Sequence, residues 1–443
     1  MARSSRLCLP LLVMVLAVGG GAGAEPPAPA PAPAPRPSAA AKPPRPPEKP
    51  EPGVPDAALQ AAINAAIDKG AAWLRSQQKS SGWMAPVVQR GESRYEIGSS
   101  ALAGLALLAA GDRPGSGVVD RIMDVCRAKD KTLAPSGSRT TYDAGVLIMF
   151  VTEYYRSRAE VPAEKGHTRE SRPIKNPCAL PEDVRLWVQE MATWLVEKQQ
   201  DSGGWGYPAH RVDLSNTQYA ILGIRAARDC GAVIPASCFE KALKLALDWQ
   251  EKDGPKDKRL LPSGDPTGKP YVIEAGDRSR GWTYLLEPYN ATGSMTTSGL
   301  AILSIAHDAL LRPRHLERYD AAAQGGTSRA LQDGFAWLEQ HWTVTRNPGP
   351  SSHNWHLYYL YGLERACALA ERPLVGLIDW YVEGAKHLVG AQKPDGRWSA
   401  GTMGFDGEYE ASDVLDTAWA LLFLKRATRP VVPIPAPVIS GGH

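Results

Sequence analysis

One repeated phrase constrains the fold of this chain more than any other feature: an apolar helix end, then glutamine, then a glycine with tryptophan just behind it. It runs from Lys69-Gly70 through Trp73-Leu74 and Gln77-Gln78 to Gly82-Trp83. It returns as Trp194-Leu195, Gln199-Gln200 and Gly204-Trp205, and again from Ala385 through Gln392 to Gly396-Arg397-Trp398. A unit much longer than a heptad means similar supersecondary pieces that bury their apolar faces on one another. The residue types suit a turn. Glycine ends a helix where a left-handed backbone is needed, and a glutamine amide bonds the backbone groups left free there. The indole covers the joint with its N–H toward a partner. Such tryptophans also stack on sugars, but their recurrence at equivalent joints favours the structural use.

Helical periodicity dominates and strand alternation is nearly absent. Six pairs of helices follow: about Asp56 to Gln78 with Tyr95 to Ala109, Val118 to Lys129 with Thr141 to Tyr155, and Pro181 to Gln200 with Ser215 to Cys230. Then come Ala236 to Lys252 with Met295 to Leu310, Ser328 to Trp342 with Asn354 to Ala370, and Val375 to Gln392 with Ser412 to Arg426. In each pair the first helix mixes charge with apolar residues, whereas the second is nearly free of charge along its middle. Alternating exposed and buried helices imply two concentric layers. An open array would need polar capping repeats, and a closed ring needs none. The expected fold is all-α, an α/α toroid of six helical hairpins.

The flanks read differently. Arg3 and Arg6 precede an apolar stretch, Leu7 to Val18, and Ala22-Gly23-Ala24 has the small residues of a cleavage site, so residues 1–24 read as a secretory signal. Residues 25–55 alternate proline and alanine before Lys-Pro and Arg-Pro pairs, a disordered linker with little to bury. The toroid is expected over 56–428, with a disordered tail over 429–443 and export to the periplasm, cell surface or exterior. A net charge of +3 with no basic cluster among aromatics excludes nucleic acid as the partner. No segment after the signal is apolar enough to span a bilayer. Five cysteines remain beyond Cys8, an odd number, and Cys230 could bridge Cys238 across a short turn or stay a buried thiol.

The repeated phrase resembles the "QW" repeats of squalene-hopene and oxidosqualene cyclases and the helical repeats of protein prenyltransferase β-subunits. The resemblance covers about Asp56 to Arg426. It implies a toroid whose central cavity receives an isoprenoid chain. Cyclases of that kind carry Asp-x-Asp-Asp before Thr-Ala, the middle aspartate protonating the polyene. The similar stretch here is Asp413-Val414-Leu415-Asp416-Thr417-Ala418, with Leu415 at the protonating position. Leucine donates no proton. The zinc-binding set of prenyltransferases and the Cys-Gly-Glu-Gln of thioester domains have no match, so no metal or cofactor is expected.

Hairpin topology makes the six inner helices parallel, which gathers their N-termini and partial positive charge at one rim. That rim holds Tyr95, Glu96, Tyr142, Asp143, Asp213, Asn216, Thr217, Thr296, Thr297, Asp413 and Asp416. Many of these are ordinary capping types. The richest cluster is His353-Asn354-Trp355-His356 with Tyr358, Tyr359 and Tyr361, running on to Glu364-Arg365. Candidate ligand contacts are therefore Trp355, His356, His353 and Tyr359, and candidate catalytic carboxylates are Asp413, Asp416 and Asp143. The insert from Lys252 to Thr292 is too long for a hairpin connection and reads as a cover. The opposite rim is expected to lack such a cluster. An exported toroid that binds a small-molecule, lipid or glycan ligand at the mouth of its cavity, without protonation-initiated cyclisation, is the leading reading. An enzyme on the same frame is the alternative, either isoprenoid-processing or a glycan lyase or hydrolase using paired carboxylates.

Overall fold

The computed structural model describes residues 52–428 apart from 85–86, 90–91, 116, 135–137, 160–177, 208–210, 262–270, 287–289, 312–318, 351–354, 401–408 and 411–412. All lie in the compact unit Pro50–His443. The signal, nearly all of the linker and the C-terminal tail fall outside the described residues, as does His353.

Twelve helices form among the described residues, in six consecutive pairs. They are α1 (Ala57–Ser76) with α2 (Glu96–Ala110), α3 (Val118–Leu133) with α4 (Thr141–Ala159), and α5 (Glu182–Glu197) with α6 (Leu214–Asp229). The rest are α7 (Ala236–Trp249) with α8 (Gly293–Leu310), α9 (Ala321–Gln340) with α10 (His356–Leu369), and α11 (Trp380–Ala391) with α12 (Asp413–Leu424). The odd helices bury one face; α1 buries Ile63, Ala66, Ile67, Gly70, Ala71 and Leu74, a stripe at helical spacing. The even helices are buried all round, as in α2, where every residue from Ile97 to Ala109 is covered. Each even helix packs on the next, α2 on α4, α4 on α6, α6 on α8, α8 on α10 and α10 on α12, and α12 packs back on α2. The inner ring closes, giving an α/α toroid. At the α4–α6 crossing Gly223 and Gly145 let the backbones meet: a Cβ on Gly223 would lie 2.8 Å from the Cα of Gly145.

The repeated phrase is the joint between neighbouring hairpins. Gln199 Nε2 donates to the Gly203 carbonyl at 2.8 Å and to the Cys238 carbonyl of α7 at 2.9 Å, so one amide closes its own turn and reaches the next outer helix. Gln78 does the same with Gly82 and with Val118 of α3. The Trp205 indole donates to the Leu195 carbonyl and Trp398 to that of Leu388, each ten residues back. Their backbone N–H groups donate to Thr217 and Thr417 on the first turns of α6 and α12. In the first repeat this position belongs to Met84, whose N–H donates to Ser100, and not to Trp83; Met84 is buried and Trp83 only partly so.

A fourth copy is split. Gln250 donates to the carbonyls of Arg280 and of Ala330 in α9, and Trp282 donates its indole N–H to Ala246 and its backbone N–H to Thr296. Between them lies the long insert read from the sequence as a cover, and it contains an antiparallel hairpin, β5 (Lys256–Leu261) with β6 (Tyr271–Arg278). Shorter strands occupy other connections that lead into inner helices. These are β1 (Val87–Gln89), β2 (Glu92–Arg94) and β7 (Tyr409–Glu410) in the order β2-β1-β7, and the pair β3 (Trp205–Gly206) and β4 (Val212–Asp213). At the α3–α5 joint a buried pair replaces the glutamine: Arg139 binds both oxygens of Asp130 at 2.7 Å, and Trp187 donates to the same carboxylate.

Candidate functional site

The N-termini of the inner helices meet at one rim, and aromatic rings line its middle. Tyr95 and Trp355, the residues just before α2 and α10, both hold a left-handed backbone, with φ of 55° and 63°. A bulky side chain in that region is strained and persists only where its surroundings hold it. Both rings are half-buried. Tyr95 meets Tyr142 edge-on at 5.8 Å, and Tyr142 meets Tyr219 at 5.0 Å. Tyr219 stacks on Tyr358 at 6.1 Å, and Trp355, Tyr358 and Trp419 form a triangle with centroids 5.5–6.4 Å apart. Residues at or in α2, α4, α6, α10 and α12 thus form one aromatic cluster, in which Tyr219, Tyr358 and Trp419 are buried and Tyr95, Tyr142 and Trp355 are partly exposed.

The candidate carboxylates at this rim are engaged in the frame. Asp143 accepts from the Gly98 N–H at 2.7 Å and from the Thr140 hydroxyl, tying α4 to α2; burial raises its pKa to about 6. Asp213 caps α6 through the Asn216 N–H, and burial likewise raises it to about 6. Asp416 is fully buried and accepts from the Ala400 N–H at 2.7 Å. Asp413 is partly exposed and lies 3.0 Å from Arg397. Leu415 is part of the core. His356 turns to the outer layer, with Nε2 2.8 Å from the Val344 carbonyl and its ring 5.1 Å from His387 of α11. Tyr359 is buried and donates to the Thr343 carbonyl. His356 and Tyr359 therefore hold the α9–α10 connection, and Trp355 is the member of the cluster that reaches the aromatic surface. Among the described residues no three His, Cys, Asp or Glu gather as a metal site.

Beneath the aromatic surface the axis is occupied by side chains. Arg365 of α10 is 1% exposed. Its guanidinium lies 4.1 Å over the Tyr361 ring and 5.4 Å over that of Tyr219. Nη2 donates to Gln218 at 3.0 Å, and Gln218 donates in turn to the Tyr358 hydroxyl, which also bonds Ser215. Nε and Nη1 have no hydrogen-bond partner among the described residues. Burying a charge of this size costs several kcal/mol, and each cation–π contact offsets about 0.5–2 kcal/mol of it. The rings compensate Arg365 only in part.

A cavity of about 90 Å³ opens on the far side of Arg365, at the rim where the inner helices end. Leu105 of α2, Met149, Glu153 and Arg156 of α4, Leu222 and Arg225 of α6, and Thr428 surround it. The expectation that this rim lacks a polar cluster is therefore corrected. Most of the charge there is paired: Arg156 with Glu153 at 3.5 Å, Arg225 with Asp229 at 3.5 Å, and Arg228 with Asp308 at 2.5 Å. Basic residues near helix C-termini oppose the negative end of the helix dipole, a reason for arginines at this rim that capping arguments at the other rim do not bring out. Glu364 is fully buried and accepts from the N–H and hydroxyl of Thr428 at 2.9 and 2.7 Å, pinning the segment that follows α12 beside the cavity; burial raises its pKa to about 7. A pair Glu364-Arg365 inside an otherwise apolar helix is the sequence signal for this site.

No family model matches the chain, and no curated protein matches it. Among solved structures it is similar to a variant of the type II terpene cyclase MstE from Scytonema in complex with geranylgeranyl dihydroxybenzoate. The identity is 12% over 84% of this chain and 98% of that one, with a TM-score of 0.48. It is also similar to a possible GH105 family member from Salmonella enterica serovar Paratyphi A, with 13% identity over 85% and 95% and a TM-score of 0.48. The fold assignment rests on the closed ring of inner helices itself.

Proposed function

We propose that this protein is an exported binding disc that holds a ring-bearing small molecule, lipid or glycan against the aromatic mouth of its toroid, without chemistry. The observation that carries this reading is the strained, left-handed placement of both Tyr95 and Trp355 at the starts of two inner helices. That backbone cost is sustained while the two rings stay partly open to solvent. Aromatic faces suit an apolar or pyranose ring, and the converging helix N-termini suit a carboxylate on the same ligand. The carboxylates Asp143, Asp213 and Asp416 are spent on backbone N–H groups, and this supports binding over acid–base work. Export is inferred from Arg3, Arg6 and the apolar run behind them.

Ligand-observed saturation-transfer NMR with methyl pyranosides, aromatic acids and short prenyl alcohols tests the reading. Wild type should return hits in at least one class, and Trp355→Ala should lose them. Hits of equal strength with Trp355→Ala would place the ligand elsewhere and overturn it.

A further inference from the structure

We infer that the cavity at the C-terminal rim of the inner ring is a docking site for the chain's own tail. A branched side chain from the stretch Val431 to Ile434 fills it and seals the rim opposite the aromatic mouth. The cavity measures about 90 Å³, and Leu105 and Ala109 of α2, Met149 of α4, and Leu222 and Ala226 of α6 give it apolar walls. Met149 and Ala226 stay partly exposed there. Covering such surface is favourable. The charges at the edge are already matched, Glu153 with Arg156 and Arg225 with Asp229. Arg365 gives its guanidinium to the Tyr361 ring and to Gln218. The walls therefore suit an apolar guest better than an ion.

The chain supplies that guest at the lip. Ala427 and Thr428 belong to the cavity wall, and Glu364 holds Thr428 there through two hydrogen bonds. Arg429-Pro430-Val431-Val432-Pro433-Ile434-Pro435 follows, in which every residue after Arg429 is proline or β-branched. At up to ~3.5 Å per residue, Val431 and Val432 are leashed within roughly 10–14 Å of Thr428. So short a leash gives them an effective concentration in the millimolar range, and a weak contact then suffices. Proline brings no N–H that would need an acceptor inside an apolar cavity, and its fixed φ limits the entropy lost on docking. The stiff side chains of valine and isoleucine limit it further. Size selects the guest as well. A cavity of about 150 Å³ accepts benzene, so one of about 90 Å³ admits a branched alkyl group and excludes a phenyl ring.

Methyl-resolved NMR of the full-length protein, deuterated and labelled at the methyls of methionine, valine, leucine and isoleucine, tests the docking. We expect nuclear Overhauser contacts from Val431, Val432 or Ile434 to Met149 and Leu222. Two variants separate the tail from the cavity. Ala226→Phe fills the cavity and should release the tail methyls to the shifts of a free peptide. The triple change Val431→Ser, Val432→Ser and Ile434→Ser lies beyond the helices; it should move the Met149 methyl signal and leave that of Met84, at the opposite rim, in place. Tail methyls at free-peptide shifts in the wild type, or contacts that survive Ala226→Phe, overturn the inference. Contacts that arise only between molecules in a mixture of labelled and unlabelled protein would seat a second copy's tail. Contacts from Met149 to a non-protein resonance would seat a small apolar ligand. Either result overturns the inference too.

Discussion

Gln392, at the end of the last outer helix, donates its side-chain amide to the Ala66 carbonyl of the first outer helix at 2.8 Å. The same nitrogen closes its own turn on Gly396. Two backbone carbonyls depend on this one amide, and Gln392→Ala leaves both without it. We expect a loss of about 1–3 kcal/mol in urea unfolding. Gln392→Leu should cost as much despite its bulk. No change in the unfolding midpoint with either would show that the joint does not hold the ring.

The turn glycines separate geometry from helix propensity. Gly203 has φ +98°, and a Cβ there would lie 2.2 Å from the Lys241 carbonyl oxygen. Gly203→Ala should destabilise by more than about 2 kcal/mol. Gly325, inside α9, has open space around it. Gly325→Ala should raise stability by up to about 1 kcal/mol, because alanine is the better helix former. Thermal unfolding of the two variants side by side checks both signs.

Burial raises Glu364 to about 7 in the folded protein, against an ordinary glutamate value near 4.3 when unfolded. Between these values the folded state binds more protons, so this residue makes stability fall as pH rises from about 4.5 to 7. Glutamine resembles the protonated acid and removes the dependence. Glu364→Gln should gain on the wild type, by an amount on the order of 2 kcal/mol, between pH 5 and pH 8. Parallel urea midpoints across that range would count against a buried, protonated Glu364.

All five described cysteines are free and buried; burial pushes the Cys238 thiol up, whereas the Cys230 thiol is pushed up first by its neighbour, the Cys178 thiol. Refolding with oxidised glutathione lets the two thiols give up two protons and two electrons, forming one disulfide and two reduced glutathiones. Peptide mapping without reductant should find Cys178 joined to Cys230, with a stability gain of about 2–4 kcal/mol. A Cys230–Cys238 link would contradict the packing.

Much of this fold is legible in the chain because its physics is local. Ser99 to Leu108 carries no charge over nearly three turns, which only a helix buried on all sides tolerates, and α2 is so buried. The joint was legible from Gln199 and Trp205 at fixed spacing, but the Gln250–Trp282 copy was not, since β5 and β6 separate its halves. Met84 escaped for another reason. Trp83 satisfies the pattern by composition, while the buried position comes one residue later. The site was less legible. His356 and Tyr359 share a short segment with Trp355, yet only tertiary contacts reveal that two of them secure the α9–α10 connection and the third faces the mouth. Tyr219 and Trp419 reach the same surface from distant segments with no local mark.

Binding without chemistry at the aromatic mouth is tested most directly by product analysis. Wild type and Asp143→Asn are incubated for a day with squalene, with geranylgeraniol and with whichever ring ligand binds in a Trp355-dependent way. Mass spectrometry then follows every component. Asp143 is the candidate catalytic carboxylate at this rim, and burial raises its pKa, like that of Asp213, to about 6, which would suit proton transfer. We expect all three compounds to be recovered unchanged from both proteins, with the ring ligand still bound by the wild type. A cyclised, cleaved or eliminated product that forms with wild type and disappears with Asp143→Asn would contradict the account.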